Sequence, residues 1–230
     1  MRIIVPFTDR DPKSRLTPVL STTERREFAL AMLCDVVDAV EGVGHEPELL
    51  VPEPLDFEGP ATGDDAPGVG LDADAVERLE SLPATVDDRP LTAAVNAALD
   101  DGSDRDPVQA VVMADLALAT PTALRRLFAA GGDVAIAPGR GGGTNALVVR
   151  DPGFSVDYHG ASYRDHRRIA AEADLPVAVV DSMRLATDVD EPSDLLEVLL
   201  HGDGRARRWL VDAGFEVGSG SDGRVGVRRR

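Results

Sequence analysis

Residues 108–115 read Val-Gln-Ala-Val-Val-Met-Ala-Asp. A short, nearly continuous apolar run is the signature of a strand buried on both faces, and such strands lie at the centre of parallel sheets. Residues 108–113 are therefore expected to form a central strand, with Asp115 just beyond its carboxyl end. Working outward, the chain alternates between strand-like and helix-like segments. Strands are expected at 2–6, 49–51, 84–86, 134–137, 146–149 and 177–180. Helices are expected at 21–41, 71–82, 91–99, 121–130, 162–173, 191–200 and 205–213. Ser21 with Glu24 three residues later forms a capping-box pattern, and Gly42 ends that helix. Thr120 followed by Pro121 marks another helix start. This alternation predicts an α/β fold, with a mostly parallel sheet covered by helices on both faces. We expect one domain over 1–217, a mobile Pro/Gly/Asp-rich loop at about 52–70, and a loosely structured tail over 218–230.

Composition narrows the function. The 230 residues are 43% hydrophobic, with a net charge of −17 and a pI near 4.5. Such acidity disfavours nucleic acid as a partner, because phosphate backbones would be repelled. No apolar run approaches the roughly 20 residues of a membrane span. The single cysteine, Cys34, lies in an apolar helical pattern and is expected to be packed. With one cysteine and an N-terminal apolar run too short for an export signal, a cytoplasmic protein is expected. Lysine occurs once, at Lys13, and every other cationic side chain of the Lys/Arg class is Arg. Asp-rich, Lys-poor composition points to a high-salt solvent, in which screening weakens self-repulsion.

In open parallel sheets, ligands bind beyond the carboxyl ends of the strands. Four features fall at such ends. The loop 7–20 carries Lys13 and Arg15, a point charge and a forked cation that together suit a polyphosphate; two solvated loop cations are the alternative. This loop lacks the Walker A pattern. Asp115 can hold Mg²⁺, which takes few protein oxygens and completes its shell with phosphate and water; a turn-capping role is the alternative. Asp188 and Asp190 could add to such a site. Finally, Gly139-Arg140-Gly141-Gly142-Gly143-Thr144-Asn145 offers backbone N–H groups to an anion, or forms a plain hairpin turn. His166 lies one helical turn after Ser162, so it offers contact with a substrate phosphate or else helix packing. Trp209 is expected in the core or at an oligomer contact.

The segments "PKSRLTPVLSTTERREFALAMLCDVV", "VVMADLALATPTAL", "APGRGGGTNAL", "YHGASYRDHRRIA" and "TDVDEPSDLLEVLLHG" run in this order over most of the chain. In them the chain resembles the 2-phospho-L-lactate guanylyltransferase family, which serves biosynthesis of the deazaflavin coenzyme F-420. "GRGGGTNAL" and "DVDEPSDL" are the most specific of these segments. The resemblance implies a nucleotide-diphospho-sugar-transferase-like fold with a seven-stranded mixed sheet. It implies Lys13 and Arg15 near the triphosphate of GTP, and Asp115 as a metal-binding Asp, with Asp188 and Asp190 as the second acidic position. Thr144, Gly160 and Ser162 match positions that contact a small phosphorylated hydroxy acid. Thr92 falls where relatives often carry Asn near the nucleotide, with Asn96 as an alternative. Ala117 stands in place of the proline in "ADLPL". A homodimer is implied as well. Two other readings are a nucleotidyltransferase of the same fold acting on a sugar phosphate or molybdopterin, and a non-catalytic nucleotide-binding scaffold.

Overall fold

A computed structural model describes residues 1–55, 72–102, 107–219 and 225–230. Seven strands form one sheet in the order β3-β2-β1-β4-β6-β5-β7. They are β1 (Arg2–Pro6), β2 (Pro47–Val51), β3 (Ala84–Val86), β4 (Gln109–Val112), β5 (Val134–Pro138), β6 (Thr144–Val149) and β7 (Val177–Val179). Only β6 runs against its neighbours β4 and β5; the other pairs are parallel. The central position of 108–113 and the mixed sheet are thus as expected.

Alternation along the strands builds two apolar layers. Ile3, Val5, Ala110 and Val112 face one core, together with Phe28, Met32 and Leu33 of α1 (Thr22–Glu41). Ile4, Val111, Ile136 and Leu147 face the other core. There they meet Val95 and Leu99 of α3 (Leu91–Gly102) and Ala170 of α5 (Ser162–Glu172). The side chains of β1 and β4 therefore lie in apolar surroundings on both faces, which is why their sequences read as nearly continuous apolar runs. The remaining helices are α2 (Ala73–Glu80), α4 (Pro121–Phe128), α6 (Met183–Ala186), α7 (Asp194–His201) and α8 (Arg205–Asp212).

Local signals are mostly obeyed, with informative exceptions. The Ser21–Glu24 capping box forms in both directions, and Thr120 caps α4 with Pro121 at its start. Gly42 does end α1, but in a right-handed conformation, with φ −63°. Its need for glycine is steric, since a Cβ there would lie 2.5 Å from Cγ of Pro121. The 7–20 loop contains a short 3₁₀ turn, Ser14–Leu16. Most of the loop expected at 52–70 lies outside the described residues.

In the C-terminal segment expected to be loose from 218, the described residues instead form two paired antiparallel strands, β8 (Phe215–Ser219) and β9 (Val225–Arg229), while 220–224 lie outside the described residues. Its glycines suggested disorder, but the surrounding charges are paired. Glu216 takes Arg228 and Arg230, and Arg229 reaches Glu24 at the start of α1 while stacking over Phe215. Cys34 is buried, and burial pushes its thiol up to about 12, so it is packing rather than a nucleophile. Trp209 is a core residue, its ring tilted against that of Phe28 with centroids 5.3 Å apart and its N–H donated to Glu27. No helix among the described residues is long and apolar enough to cross a membrane.

Candidate active site

The loop after β1 is built to aim Lys13. Asp11 and Lys13 both adopt left-handed backbone conformations, with φ 46° and 53°, which non-glycine residues accept only at a cost. Arg25 of α1 holds this shape. Its guanidinium, almost fully buried, donates to the Asp11 carboxylate and to the Pro12 carbonyl, each at 2.7 Å. Arg26 holds Asp9 in the same loop. Nothing in the sequence signalled Arg25, because its partners lie in a loop more than a dozen residues upstream.

Held in this way, Lys13 reaches across the carboxyl end of β4. Its Nζ donates to Asp115 Oδ2 at 2.7 Å and to Asp190 Oδ1 at 2.8 Å. Burial alone would lower the Lys13 pKa, but the charges of Asp115 and Asp190 outweigh it and hold the ammonium above its ordinary value. Arg15 is largely exposed, with Nη1 at 3.6 Å from Asp190 Oδ2. Lys13, Arg15, Asp115 and Asp190 share a cleft of 370 Å³ whose apolar wall includes Pro6, Phe7 and Met113.

The 187–190 segment follows α6 rather than β7 directly, and the backbone ties it to β4: Val189 N–H donates to the Asp115 carbonyl at 3.3 Å. Asp188 accepts from Asn145 Nδ2 at 3.1 Å. Burial raises the Asp188 pKa; the Asn145 bond opposes this, and the nearby negative charges of Asp115 and Asp190 add to it. Asn145, also bonded to the Leu185 carbonyl, joins the acidic cluster to the glycine turn. That turn is tight: a Cβ on Gly139 would strike Asn145 Oδ1, and Gly142 has φ 88°.

Three carboxylates thus face two cations, and Asp115 Oδ1 is buried with no hydrogen-bond partner. An orphaned carboxylate oxygen amid excess negative charge suits a divalent cation. The expected trio of Asp115, Asp188 and Asp190 is not a ready cage, however. Among the described residues no three such side chains are grouped closely enough to hold an ion alone. Asp190 serves Lys13 and Arg15 instead.

The other expected residues gather on the far side of the glycine turn. Thr144 and Ser162 are buried and bonded to each other, with Thr144 N–H donating to Ser162 Oγ at 2.9 Å. Gly160 lies in the exposed turn just before, at φ 55°. Thr92 is not beside the Lys13 cleft. Its hydroxyl accepts the Tyr158 N–H at 3.0 Å, while Asn96 bonds both the N–H and the carbonyl of Val156. Both residues brace the 156–158 segment, so the base-reading role expected of Thr92 finds no support in its position. His166 is fully buried, between the rings of Phe154 and Tyr158.

A mixed sheet of this order, with helices on both faces, has the nucleotide-diphospho-sugar-transferase-like fold. The fold is shared with a putative nucleotide-diphospho-sugar transferase from Desulfovibrio desulfuricans G20. That match has a TM-score of 0.67 at 16% identity and covers 92% of this chain and 95% of that one. The family described as guanylyl transferase CofC like matches residues 1–54 and 69–230. The chain is 57% identical to the 2-phospho-L-lactate guanylyltransferase of Haloferax volcanii over 230 residues, and 54% identical to that of Halomicrobium mukohataei over 229, each covering 100% of both chains. The chain belongs to the CofC-like guanylyl transferase family and is a nucleotidyltransferase.

Proposed function

We propose that this enzyme joins the GMP part of GTP to 2-phospho-L-lactate, giving lactyl-2-diphospho-5′-guanosine and pyrophosphate, a step in coenzyme F-420 biosynthesis. The observation that carries the reading is Lys13, held by a strained, Arg25-braced loop against Asp115 in a cleft sized for a nucleotide, in a chain matched end to end by relatives of that name.

The nucleophile is a phosphate oxygen of the acid. It attacks the α-phosphorus, a new P–O bond forms, and the bond to the β-phosphate bridging oxygen breaks. A phosphate monoester has a second pKa of about 6, so it is already largely ionised near neutrality and no side chain has to remove a proton. The barrier is the approach of two anions. Arg15, exposed at the mouth, and Lys13 bind the triphosphate, and their charge favours departure of pyrophosphate. For Lys13 this means leaving one carboxylate partner for phosphate oxygens. Asp115, and Asp188 beside it, would hold Mg²⁺ together with phosphate oxygens; when bound, the ion neutralises charge and aligns the in-line displacement. The region of Thr144, Gly160 and Ser162 receives the acid. The same reading makes the working form a homodimer in the cytoplasm.

The test is to incubate the protein with GTP, Mg²⁺ and 2-phospho-L-lactate, phosphoenolpyruvate or 3-phosphoglycerate in concentrated KCl, following pyrophosphate. Release dependent on GTP and 2-phospho-L-lactate is expected. No release with that acid, or equal release with CTP, would overturn the assignment.

A further inference from the structure

Residues 156–158 belong to no strand, yet each backbone N–H is taken by a side chain. Val156 N–H goes to Asn96 Oδ1 at 2.8 Å, Asp157 N–H to His166 Nε2 at 2.9 Å, and Tyr158 N–H to Thr92 Oγ1 at 3.0 Å. The Asn96 amide also holds the Val156 carbonyl at 3.0 Å. Two helices, α3 and α5, thus clamp the segment leading into the exposed Gly160 turn. A surface loop seldom has every amide claimed in this way; the clamp fixes where the turn lies.

His166 does more than clamp. A backbone amide can only donate, so Nε2 must accept, and the ring proton therefore resides on Nδ1. Nδ1 lies 2.8 Å from Thr144 Oγ1, so it donates into that hydroxyl. Burial pushes the imidazole pKa down to about 4, against the opposing charges of Asp157 and Asp165, in agreement with this hydrogen-bond pattern. Thr144 N–H in turn donates to Ser162 Oγ. Each hydroxyl oxygen thereby accepts one fixed N–H, and its own proton has no bonded acceptor among the described residues. Two hydroxyls arranged in this way are donors to whatever enters, which is the polarity an anionic acid requires.

We propose that His166 is a positioning residue for the acceptor half of the site: as an Nδ1–H imidazole it anchors the 156–158 segment and turns the Thr144 hydroxyl into a donor toward the phosphorylated acid. The proposal rests on the guanylyl-transfer reading above only for the identity of the acid. Thr92 and Asn96 complete the clamp, so the residues first expected near the nucleotide base serve the acid instead.

Three measurements test this. Long-range ¹H–¹⁵N correlation on the wild-type protein between pH 5.5 and 8 should give His166 a protonated Nδ1 and an unprotonated Nε2 throughout; an Nε2–H ring overturns the proposal without any mutation. Calorimetry of 2-phospho-L-lactate and phosphoenolpyruvate, without nucleotide, should show at least tenfold weaker binding in His166→Phe. His166→Gln, whose amide can accept from Asp157 and donate to Thr144, should recover most of the loss. Steady-state kinetics should place the His166→Phe defect in the KM for the acid, with the KM for GTP within twofold of wild type. Equal acid binding in folded His166→Phe and wild type, or equal rises in both KM values, would refute the positioning role. A wild-type protein that releases no pyrophosphate removes the guanylyl-transfer reading instead, and the tautomer and acid binding still decide the role of His166.

Discussion

Replacing Lys13 by Met removes the cation that Asp115 and Asp190 share while keeping most of the side-chain volume. Breaking a fully buried ion pair from one side costs about 3–5 kcal/mol, because the remaining charge is left without compensation. Here Asp115 is 25% exposed and Asp190 39%, so water recovers part of that cost. A loss of about 2 kcal/mol is expected, which for a chain of this size lowers Tm by roughly 4–8 °C. The same substitution leaves Asp115, Asp188 and Asp190 facing only Arg15, so divalent cations should bind the variant better than wild type when no nucleotide is present. Tenfold tighter binding would return about 1.4 kcal/mol at saturating Mg²⁺. The assay is thermal unfolding of both proteins in concentrated KCl, with EDTA and with MgCl₂, alongside guanylyl transfer. Activity should collapse in Lys13→Met even where Mg²⁺ restores stability. In Lys13→Arg the charge is kept but the broader fork replaces a compact ammonium, and activity should fall roughly 10- to 150-fold, the loss of one charge-assisted phosphate contact. Wild-type unfolding and the same Mg²⁺ response in Lys13→Met would refute the counter-ion role.

Arg25→Met should lower turnover and GTP affinity without touching substrate, because Asp11 and Pro12 lose the contacts that hold the left-handed loop. A stability loss of about 2–3 kcal/mol is expected for a buried charged donor, and kinetics equal to wild type in a folded variant would dismiss the bracing role. Stability should also respond to pH through His166. Its folded pKa is depressed to about 4 from an ordinary 6.5, so its contribution is full above pH 6.5 and is lost as pH falls toward 4, by about 3 kcal/mol. Asp35, raised to about 6 by burial despite bonds from the Arg205 and Ala206 amides, works in the opposite sense and favours the fold as pH falls through 6. The quantity to read is therefore the difference between wild type and His166→Gln over that interval, which should shrink steadily as the pH is lowered; a constant difference would deny the linkage. Finally, with a net charge of −17, unfolding and activity should both depend on KCl, because screening reduces self-repulsion; full stability in dilute buffer would remove the high-salt inference and leave the reaction untouched.

What the sequence determined by itself is the part governed by short-range rules. The apolar run at 108–113 could only be a strand covered on both faces, and Asp115 had to emerge at its end. Ser21 with Glu24, and Thr120 with Pro121, satisfied orphan amides within a single turn, so those helix starts were readable. The lone lysine among many arginines singled out Lys13, its expected place at a strand end set it near Asp115, and the family resemblance tied both to Asp188. The tertiary structure decided whatever depends on partners far along the chain. Asp190 proved to be the second carboxylate of Lys13 because the 187–190 segment is bonded to the end of β4. Arg25 became the brace of the active loop only once α1 packed beside it. Thr92 and Asn96 turned toward the 156–158 backbone, and His166 found both of its partners in other segments, since a buried imidazole surrounded by amides and hydroxyls bonds to whichever groups the fold brings within 3 Å. The glycine-rich C-terminus carried no pattern strong enough to announce a strand. β9 exists because β8 supplies its hydrogen bonds and because Glu24 and Glu216 receive its arginines, and all of these belong to the assembled fold and not to the segment itself.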